Sequence, residues 1–449
     1  MASSSKNHSQ IKKMTKFQLI LTGIFVLCIV AGAAAFALFR GSSTSTQLPA
    51  ITIWGTLPSA TVDQFIANVN SSLSTAVDVT YVQVDQSSFN QAFVQAIAKG
   101  QGPDAILVPQ EMVLANEPEI MPIPYTVLPE RTFLDTYIQE ADLYLCSDGI
   151  DAIPFSVDPL VMYWNRDTFN AAGIASVGTA STPITWSTLA GYAPKINLED
   201  TNSNIQKSLV ALGQFANIDN AREIFGSILM QAGNPVTLRA SDNSVYSALG
   251  NGQFQGLNSA TNATSFFTRF SNPTDSYYSW NASLPDSQTF FLDGNLATYF
   301  GFASELATLR TKNSNLNLDV APFPQASGEK TEVAYGRMYG FSLVKSSAKS
   351  AAAYTIVQYL TTPSALAQWS TLSNLPPVRN DMITQGTTDP YMTMFYRAAL
   401  VSEDWLDPNP AGTATVLQNM VESIESGAAT ETTAIQNASG RVDGEISGN

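Results

Sequence analysis

IPFSVDPLVMYWNRDTFNAAGIASVGTASTPITWSTL, residues 153–189, decides how the rest of the chain is read. Ile153 to Ser156 should approach as extended chain, because proline disfavours the helical region for the residue before it. Asp158-Pro159 is expected to turn the chain. Leu160 to Trp164 is a short continuous apolar run, the pattern of a strand covered on both faces. Asn165-Arg166-Asp167 interrupts it. Asp167 suits the N-cap of a helix beginning at Thr168, and Gly173 suits its end. Thr185 is placed to cap a further helix opening at Trp186.

Upstream, elements alternate. Ile51 to Gly55 reads as a strand, Val62, Phe65, Ile66 and Val69 follow helical spacing, and Val77 to Val84 is rich in strand formers. Ser88 is placed to cap a helix carrying Phe89, Phe93 and Ile97 on one face, and Pro103 to Pro109 reads as a buried strand. Strand–helix alternation argues for a parallel α/β sheet, in which ligands sit beyond the carboxyl ends of the strands. Those ends are Trp54-Gly55-Thr56, Asp85-Gln86 and Gln110-Glu111. From Lys195 to Ser276 the pattern is mostly polar helix, with Leu209, Leu212, Phe215 and Ile224 as its core.

Several of these stretches resemble a family. Trp164-Asn165-Arg166-Asp167, Ala172-Gly173-Ile174 and Pro183…Thr185-Trp186 are similar to a segment of the extracellular solute-binding proteins of ABC importers, the group containing the maltose-binding proteins. Gly100…Pro103-Asp104 resembles that family's turn before the third strand. Phe290 to Gly301 resembles its F-x-x-G-x-x-A-M-x-x-x-G stretch, with Thr298 at the usual Met. Val320 to Pro324 resembles its second crossing between lobes, Tyr335 to Gly340 its Gly-rich loop, and Leu375 to Arg379 a proline turn. Two departures stand out: Trp164 replaces the usual Tyr, and Thr188 replaces an acid after Thr185-Trp186, which weakens the capping box. The resemblance covers roughly residues 50–449. It implies an α/β two-lobe periplasmic-binding-protein-like fold with a ligand cleft at the hinge. Lobe 1 is expected over 50–157 and 322–348, and lobe 2 over 158–321 and 349–449.

The N-terminus supplies a different element. Lys6, Lys12, Lys13 and Lys16 precede Phe17 to Phe39, 23 residues without a charge. Roughly 20 suffice to span a bilayer, and the lysines favour the cytoplasmic side. This reads as a basic tail (1–16), a transmembrane helix (17–39) and a Ser/Thr-rich tether (40–49). A cleaved signal peptide and lipidation at Cys28 are the alternatives. The apolar run exceeds the roughly 7–15 residues of a signal core, and Leu27 is larger than lipoproteins place before their cysteine.

Composition excludes several classes. Five of the 22 basic residues and none of the 37 acids precede residue 50, so the remainder carries 17 against 37, a net charge of −20. Such a surface does not suit nucleic acid, whose phosphates need positive charge. His8, in the tail, is the only histidine, which removes histidine catalysis and histidine metal ligation from the rest of the chain. Cys146 has no intrachain partner outside the apolar segment. There is no phosphate loop of the G-x-x-x-x-G-K-(S/T) type, so transport would need separate permease and ATPase subunits.

No catalytic residue, metal site or cofactor is expected. The resemblance implies capture of a small solute, a mono- or oligosaccharide first. Another solute (peptide, amino acid, metal complex), a sensory receptor and a carbohydrate-active enzyme are the other readings. Sugars need planar acids, amides and arginine for their hydroxyls and flat aromatic faces for their rings. The candidate ligand residues are Asp158 at the crossing, Gln110 and Glu111 after the third strand, and Trp54 at the end of the first. Gly301 and Phe302 at the cleft wall, Arg337 and Tyr339 in the Gly-rich loop, and the aromatics Trp280 and Trp405 complete the set. Each has a plain structural alternative: a turn aspartate, a helix-start acid, an ion-paired arginine, or aromatic core.

Overall fold

The computed structural model describes residues 49–72, 77–242, 244–250, 259–328, 332–407 and 409–447. The tail, the apolar segment 17–39 and nearly all of the tether lie outside the described residues. Among the described residues no helix is long and apolar enough to cross a membrane.

The opening alternation forms as expected. Ile51–Gly55 (β1) is followed by Ser59–Ser72 (α1), which buries Val62, Phe65, Ile66 and Val69, the stripe that a 3.6-residue period brings to one face. Val79–Gln83 (β2), Phe89–Ala98 (α2) and the fully buried Ala105–Pro109 (β3) follow, then Gln110–Asn116 (α3). β1 pairs in parallel with both β2 and β3. Ser88 does not cap α2; its hydroxyl donates to the Asp85 carbonyl at 3.2 Å instead.

The expected turn at Asp158-Pro159 does not form. Ile153–Asn165 (β4) is one strand of 13 residues, buried along its whole length. Proline is tolerated here because the ladder changes partner at this point, so its missing N–H breaks no run of bonds. Residues 153–159 pair with one neighbour and residues 160–165 with two others. The cap of Arg166–Ala171 (α4) also differs from expectation. Asn165, not Asp167, accepts the orphan amides of Asp167 (3.0 Å) and Thr168 (3.2 Å). Asn165→Ala should cost about 1 kcal/mol, the usual value of a cap, read as a fall in the urea midpoint; an unchanged midpoint would remove that role. Gly173 closes the helix with φ +73°, and Thr185 accepts from Thr188 N as expected.

Beyond residue 195 the polar-helix reading fails at Ile205–Val210 (β5), a strand containing Leu209. Short apolar runs do not distinguish strand from helix by period, and here pairing decides. Ala221–Gln231 (α5), Leu296–Phe302 (β6) and Leu318–Pro322 (β7) complete the second lobe's framework. β6 and β7 both run antiparallel to the second half of β4. Ala334–Leu343 (β8) pairs with the first half of β4 and with β3. The result is two α/β lobes sharing the strands β4 and β8. The first has strand order β2-β1-β3-β8-β4, and the second has β4-β6-β5 with β7 on the other edge of β4.

Two expected boundaries move. The resemblance puts the second crossing at residue 322, but Phe323, Val333 and Ala334 still lie in the second lobe's core, and Tyr335 to Met338 make the passage. The resemblance also assigns residues 349–383 to lobe 2. Instead, Ser350–Leu360 (α6) packs on β8 and Pro363–Ser373 (α7) packs on α1. Trp369 of α7 sits 4.6 Å from the ring of Phe155 and 5.6 Å from that of Phe65, and Asn380 donates to the Tyr137 carbonyl at 2.6 Å. Burial of Trp369 against first-lobe aromatics drives this return, which helical periodicity alone cannot assign to a lobe. In the second lobe Trp186 occupies the equivalent position, with Phe266, Phe300 and Phe323 each within 5.5 Å of its ring.

Candidate functional site

Where β4 and β8 pass between the lobes, polar side chains from six segments converge. β4 brings Asp158 opposite Arg337 of β8. The end of β3 runs directly into α3, placing Gln110 and Glu111 against the same strand. The end of β6 brings Phe302 and Ser304, the first turn of α5 brings Arg222 and Glu223, and residues 402–407 close the ring.

Tyr335 is the centre of this network. Its hydroxyl receives N–H groups from Gln110 of the first lobe and Arg222 of the second, both at 3.4 Å, and donates to Glu111 Oε1 at 3.2 Å. Burial pushes its ionisation far above the ordinary tyrosine range, so it stays a donor. Arg222 also reaches Asp407 Oδ2 at 2.7 Å and Glu223 Oε1 at 3.0 Å, and lies 4.6 Å over the Trp405 ring. Arg337 lies 4.1 Å over the Phe302 ring, with Glu111 at 3.8 Å and Glu223 at 3.9 Å. Those last two distances are ion pairs without direct hydrogen bonds, and the guanidinium remains 28% exposed. It has donors to spare.

Asp158 accepts from Ser304 N at 3.0 Å, across the crossing. Burial raises its pKa to about 6, against the lowering influence of Ser304 and Arg337. Tyr339 is half-buried on the same strand as Arg337, its pKa pushed up to about 12 by burial, with Arg337 pulling the other way. Six carboxyl groups, Glu111, Glu140, Asp158, Glu223, Asp404 and Asp407, thus share the region with two guanidinium groups.

The candidate ligand residues named from sequence do not all come together. Asp158, Glu111, Arg337, Phe302 and Tyr339 meet at the crossing. Trp54 is half-buried in β1, in the first lobe's sheet. Gln110 is wholly buried and spends its amide on the fold: Nε2 donates to the Gly336 carbonyl at 3.0 Å and to Asp404, and Oε1 accepts from Met338 N at 2.6 Å. Gly301 makes room instead of making contact, since a Cβ there would lie 2.6 Å from the Tyr299 ring and 2.9 Å from Glu305. Trp280 is a correction: it is fully buried in the second lobe, edge-on to Phe290, and donates to Asn217 Oδ1 at 3.0 Å. Trp405 is also buried, behind Tyr335, in the space left by Gly226, where a Cβ would lie 2.3 Å from its ring.

Sequence reasoning missed Arg222, Glu223, Tyr335 and Asp407. The available signal was a basic residue in the first turn of a helix, where the dipole favours acids, in a domain poor in basic residues. Two cavities complete the picture. One, of about 500 Å³, lies within the second lobe, lined by Trp186, Phe266, Tyr277 and Arg269, and touches none of the candidate ligand residues. The other, of about 410 Å³, lies between Gln139 to Leu145, Met230 to Arg239 and Glu403 to Leu406.

The comparisons agree with this architecture. The profile described as bacterial extracellular solute-binding protein matches residues 60–394. No curated protein sequence matches the chain. Among solved structures, a cyclo/maltodextrin-binding protein complexed with maltotetraose superposes with a TM-score of 0.71 at 15% identity, covering 88% of this chain and 97% of that one. The cyclic alpha-maltosyl-1,6-maltose binding protein of Arthrobacter globiformis gives 0.71 at 17% identity, covering 89% and 100%. An ABC transporter solute-binding protein of Thermotoga lettingae bound with alpha-D-tagatose gives 0.63 at 17%, covering 88% and 99%. At these identities the likeness is one of fold.

Proposed function

We propose that this chain, which belongs to the bacterial extracellular solute-binding protein family, captures a carbohydrate between its lobes and delivers it to the permease subunits of an ABC importer. The family is one of binding proteins, and the chain works by affinity and not by chemistry. Two lobes joined by extended strands can open and close about them, and a solute touching both lobes shifts that equilibrium toward closure.

The observation that carries the sugar reading is the mixture of groups at the crossing. Asp158, Glu111, Glu223 and Arg337 come from four segments and both lobes, beside the half-buried ring of Tyr339, while Phe302 is buried beneath Arg337. Planar charged groups take hydroxyls and flat rings cover the C–H face of a pyranose. Glu111 Oε2 and the Thr56 and Ser156 hydroxyls have no hydrogen-bond partner here, and an unmade bond of this kind costs about 1–3 kcal/mol until a ligand or water supplies it. A site built this way rejects analogues lacking the hydroxyls. The structural relatives named above are complexed with or named for sugars, which supports the same class of cargo.

The anchor belongs to the same proposal. Residues 17–39 hold the protein in the cell membrane, with residues 1–16 in the cytoplasm and the lobes outside. Protease added to intact cells should then remove the lobes and leave a short membrane-bound stub; lobes found free in the medium would replace the anchor with a cleaved leader.

The deciding experiment is a thermal-shift screen of the purified protein against sugars, oligosaccharides, peptides and amino acids. A ligand at a hundred times its Kd adds roughly 2.7 kcal/mol of stability. A sugar that shifts the melt supports the reading. A peptide or amino acid that shifts it while no sugar does overturns the carbohydrate part.

A further inference from the structure

We propose that the cavity behind the crossing is a second ligand site, which takes a small organic ammonium ion between Glu140 and Asp404. Side chains alternate along β8, so Arg337 faces one side of the crossing and Gly336 the other. A Cβ on Gly336 would lie 2.3 Å from Glu140 Oε2, which places Glu140 on the side opposite Arg337. The cavity there has about 410 Å³ and walls from both lobes.

Its polar lining is unpaired. Glu140 is 2% exposed, and neither of its carboxyl oxygens has a hydrogen-bond partner. Asp404 Oδ1 and Trp405 Nε1, both on the same wall, are without partners as well. Among the described residues no cation forms an ion pair with either acid, although Arg222 favours the charged form of Asp404 from a distance. Arg239, on the opposite wall, is ion-paired with Glu117 at 3.2 Å and Asp151 at 3.9 Å and keeps Nε and Nη2 without hydrogen-bond partners. Arg222 is held by Asp407 and Glu223. The other titratable groups that act on Glu140 are acidic or neutral: Asp404, Glu403 and Tyr144 near the cavity, and Glu111 and Asp158 from the Arg337 side of the crossing.

An ammonium group fits this set. It brings three donors and no acceptor to the three open acceptors at that end of the cavity, Glu140 Oε1 and Oε2 and Asp404 Oδ1. Its apolar body has Leu143, Met230 and Leu238 to lie against. Among the described residues no group of ligands suits a metal ion. Burial first, and then the neighbouring Asp404 and Glu111, hold Glu140 protonated well above the usual carboxylate range. An entering ammonium therefore exchanges for that proton, which leaves to solvent, and the charge of the cavity is conserved. Over the range where Glu140 is protonated in the empty site, affinity should rise about tenfold per pH unit.

The test is the melting temperature of the full chain titrated with n-butylammonium, with 1-butanol as the neutral control, at pH 6, 7 and 8 and constant ionic strength. The expected result is a saturable rise with butylammonium, half-saturating about tenfold lower per pH unit, no rise with butanol, and loss of the effect in Glu140→Gln. If Glu140→Gln does not fold, Leu238→Trp, which narrows the cavity, takes its place and should weaken the rise. Equal effects of butylammonium and butanol, no saturable rise at pH 8, or an undiminished rise in either variant would overturn the site.

Discussion

Asp158→Asn is expected to move stability and solute binding in opposite directions. The carboxyl has a folded pKa of about 6 because burial penalises its charged form, against roughly 3.9 in an unfolded chain. This is the reverse of the usual carboxylate case. Below about pH 4 the group is protonated in both states and contributes nothing. Between about pH 4 and 6 the unfolded chain releases the proton while the folded one keeps it, so stability falls as pH rises. Above pH 6 the loss is complete, at most about 3 kcal/mol, because a tenfold change in proton affinity is worth about 1.4 kcal/mol. Asparagine does not titrate and keeps an oxygen for Ser304 N. The variant should therefore match the parent near pH 3.5 and exceed it by up to about 3 kcal/mol at pH 8, read from urea midpoints at the two pH values. If Asp158 holds a sugar hydroxyl, the same change removes a charged acceptor and weakens binding roughly tenfold, since charged hydrogen bonds exceed neutral ones by about 1–2 kcal/mol. A variant that is no more stable at pH 8 would show that burial does not strain the carboxylate. Unchanged sugar affinity would take Asp158 out of the ligand shell.

Arg222→Met should be the most damaging single change near the crossing, at about 3–5 kcal/mol. The arginine is 6% exposed and its partner Asp407 is wholly buried, at 2.7 Å. Removing one partner strands the other charge, which costs far more than the pair itself is worth. The stacking of Arg222 on Trp405 at 4.6 Å is lost as well. Methionine retains most of the volume, so the loss measures charge and not a cavity. The double variant Arg222→Met with Asp407→Leu should recover much of the deficit, because replacing a buried pair by apolar groups is often neutral. A double variant as unstable as Arg222→Met alone would mean that Glu223 and Tyr335, not Asp407, are the partners that matter. Chemical denaturation of the three proteins decides between these outcomes.

Both predictions rest on groups that the amino-acid sequence treats unequally. Asp158 could be named because the resemblance puts an acid at this crossing, although the turn expected at Asp158-Pro159 does not form. Arg222 could not, because nothing within a few residues of it announces Asp407, which is 185 positions away. The aromatics show the same limit. Trp280 and Trp405 read as possible ring-stacking faces, yet both are interior side chains, one packed on Phe290 and the other in the space that Gly226 leaves. Aromatic identity predicts that a ring is covered, not what covers it.

By itself the sequence determined what depends on near neighbours. The β1-α1-β2-α2-β3 alternation, the buried stripe of α1, the stop at Gly173 and the cap at Thr185 follow from side-chain period, backbone freedom and hydrogen bonds within one turn. Only the tertiary structure decided that Asp158-Pro159 runs straight through a strand, that Ile205–Val210 is a strand, and that residues 349–383 return to the first lobe. Those outcomes were set by partners far off in the chain: β8 beside β4, β6 beside β5, and Phe65 and Phe155 beneath Trp369. The crossing is the extreme case, with Gln110 bonded to a residue 294 positions later. Short-range preferences amount to a few tenths of a kcal/mol up to about one per residue, while burying a large side chain or satisfying an interior polar group contributes more, so packing overrides them wherever the two disagree.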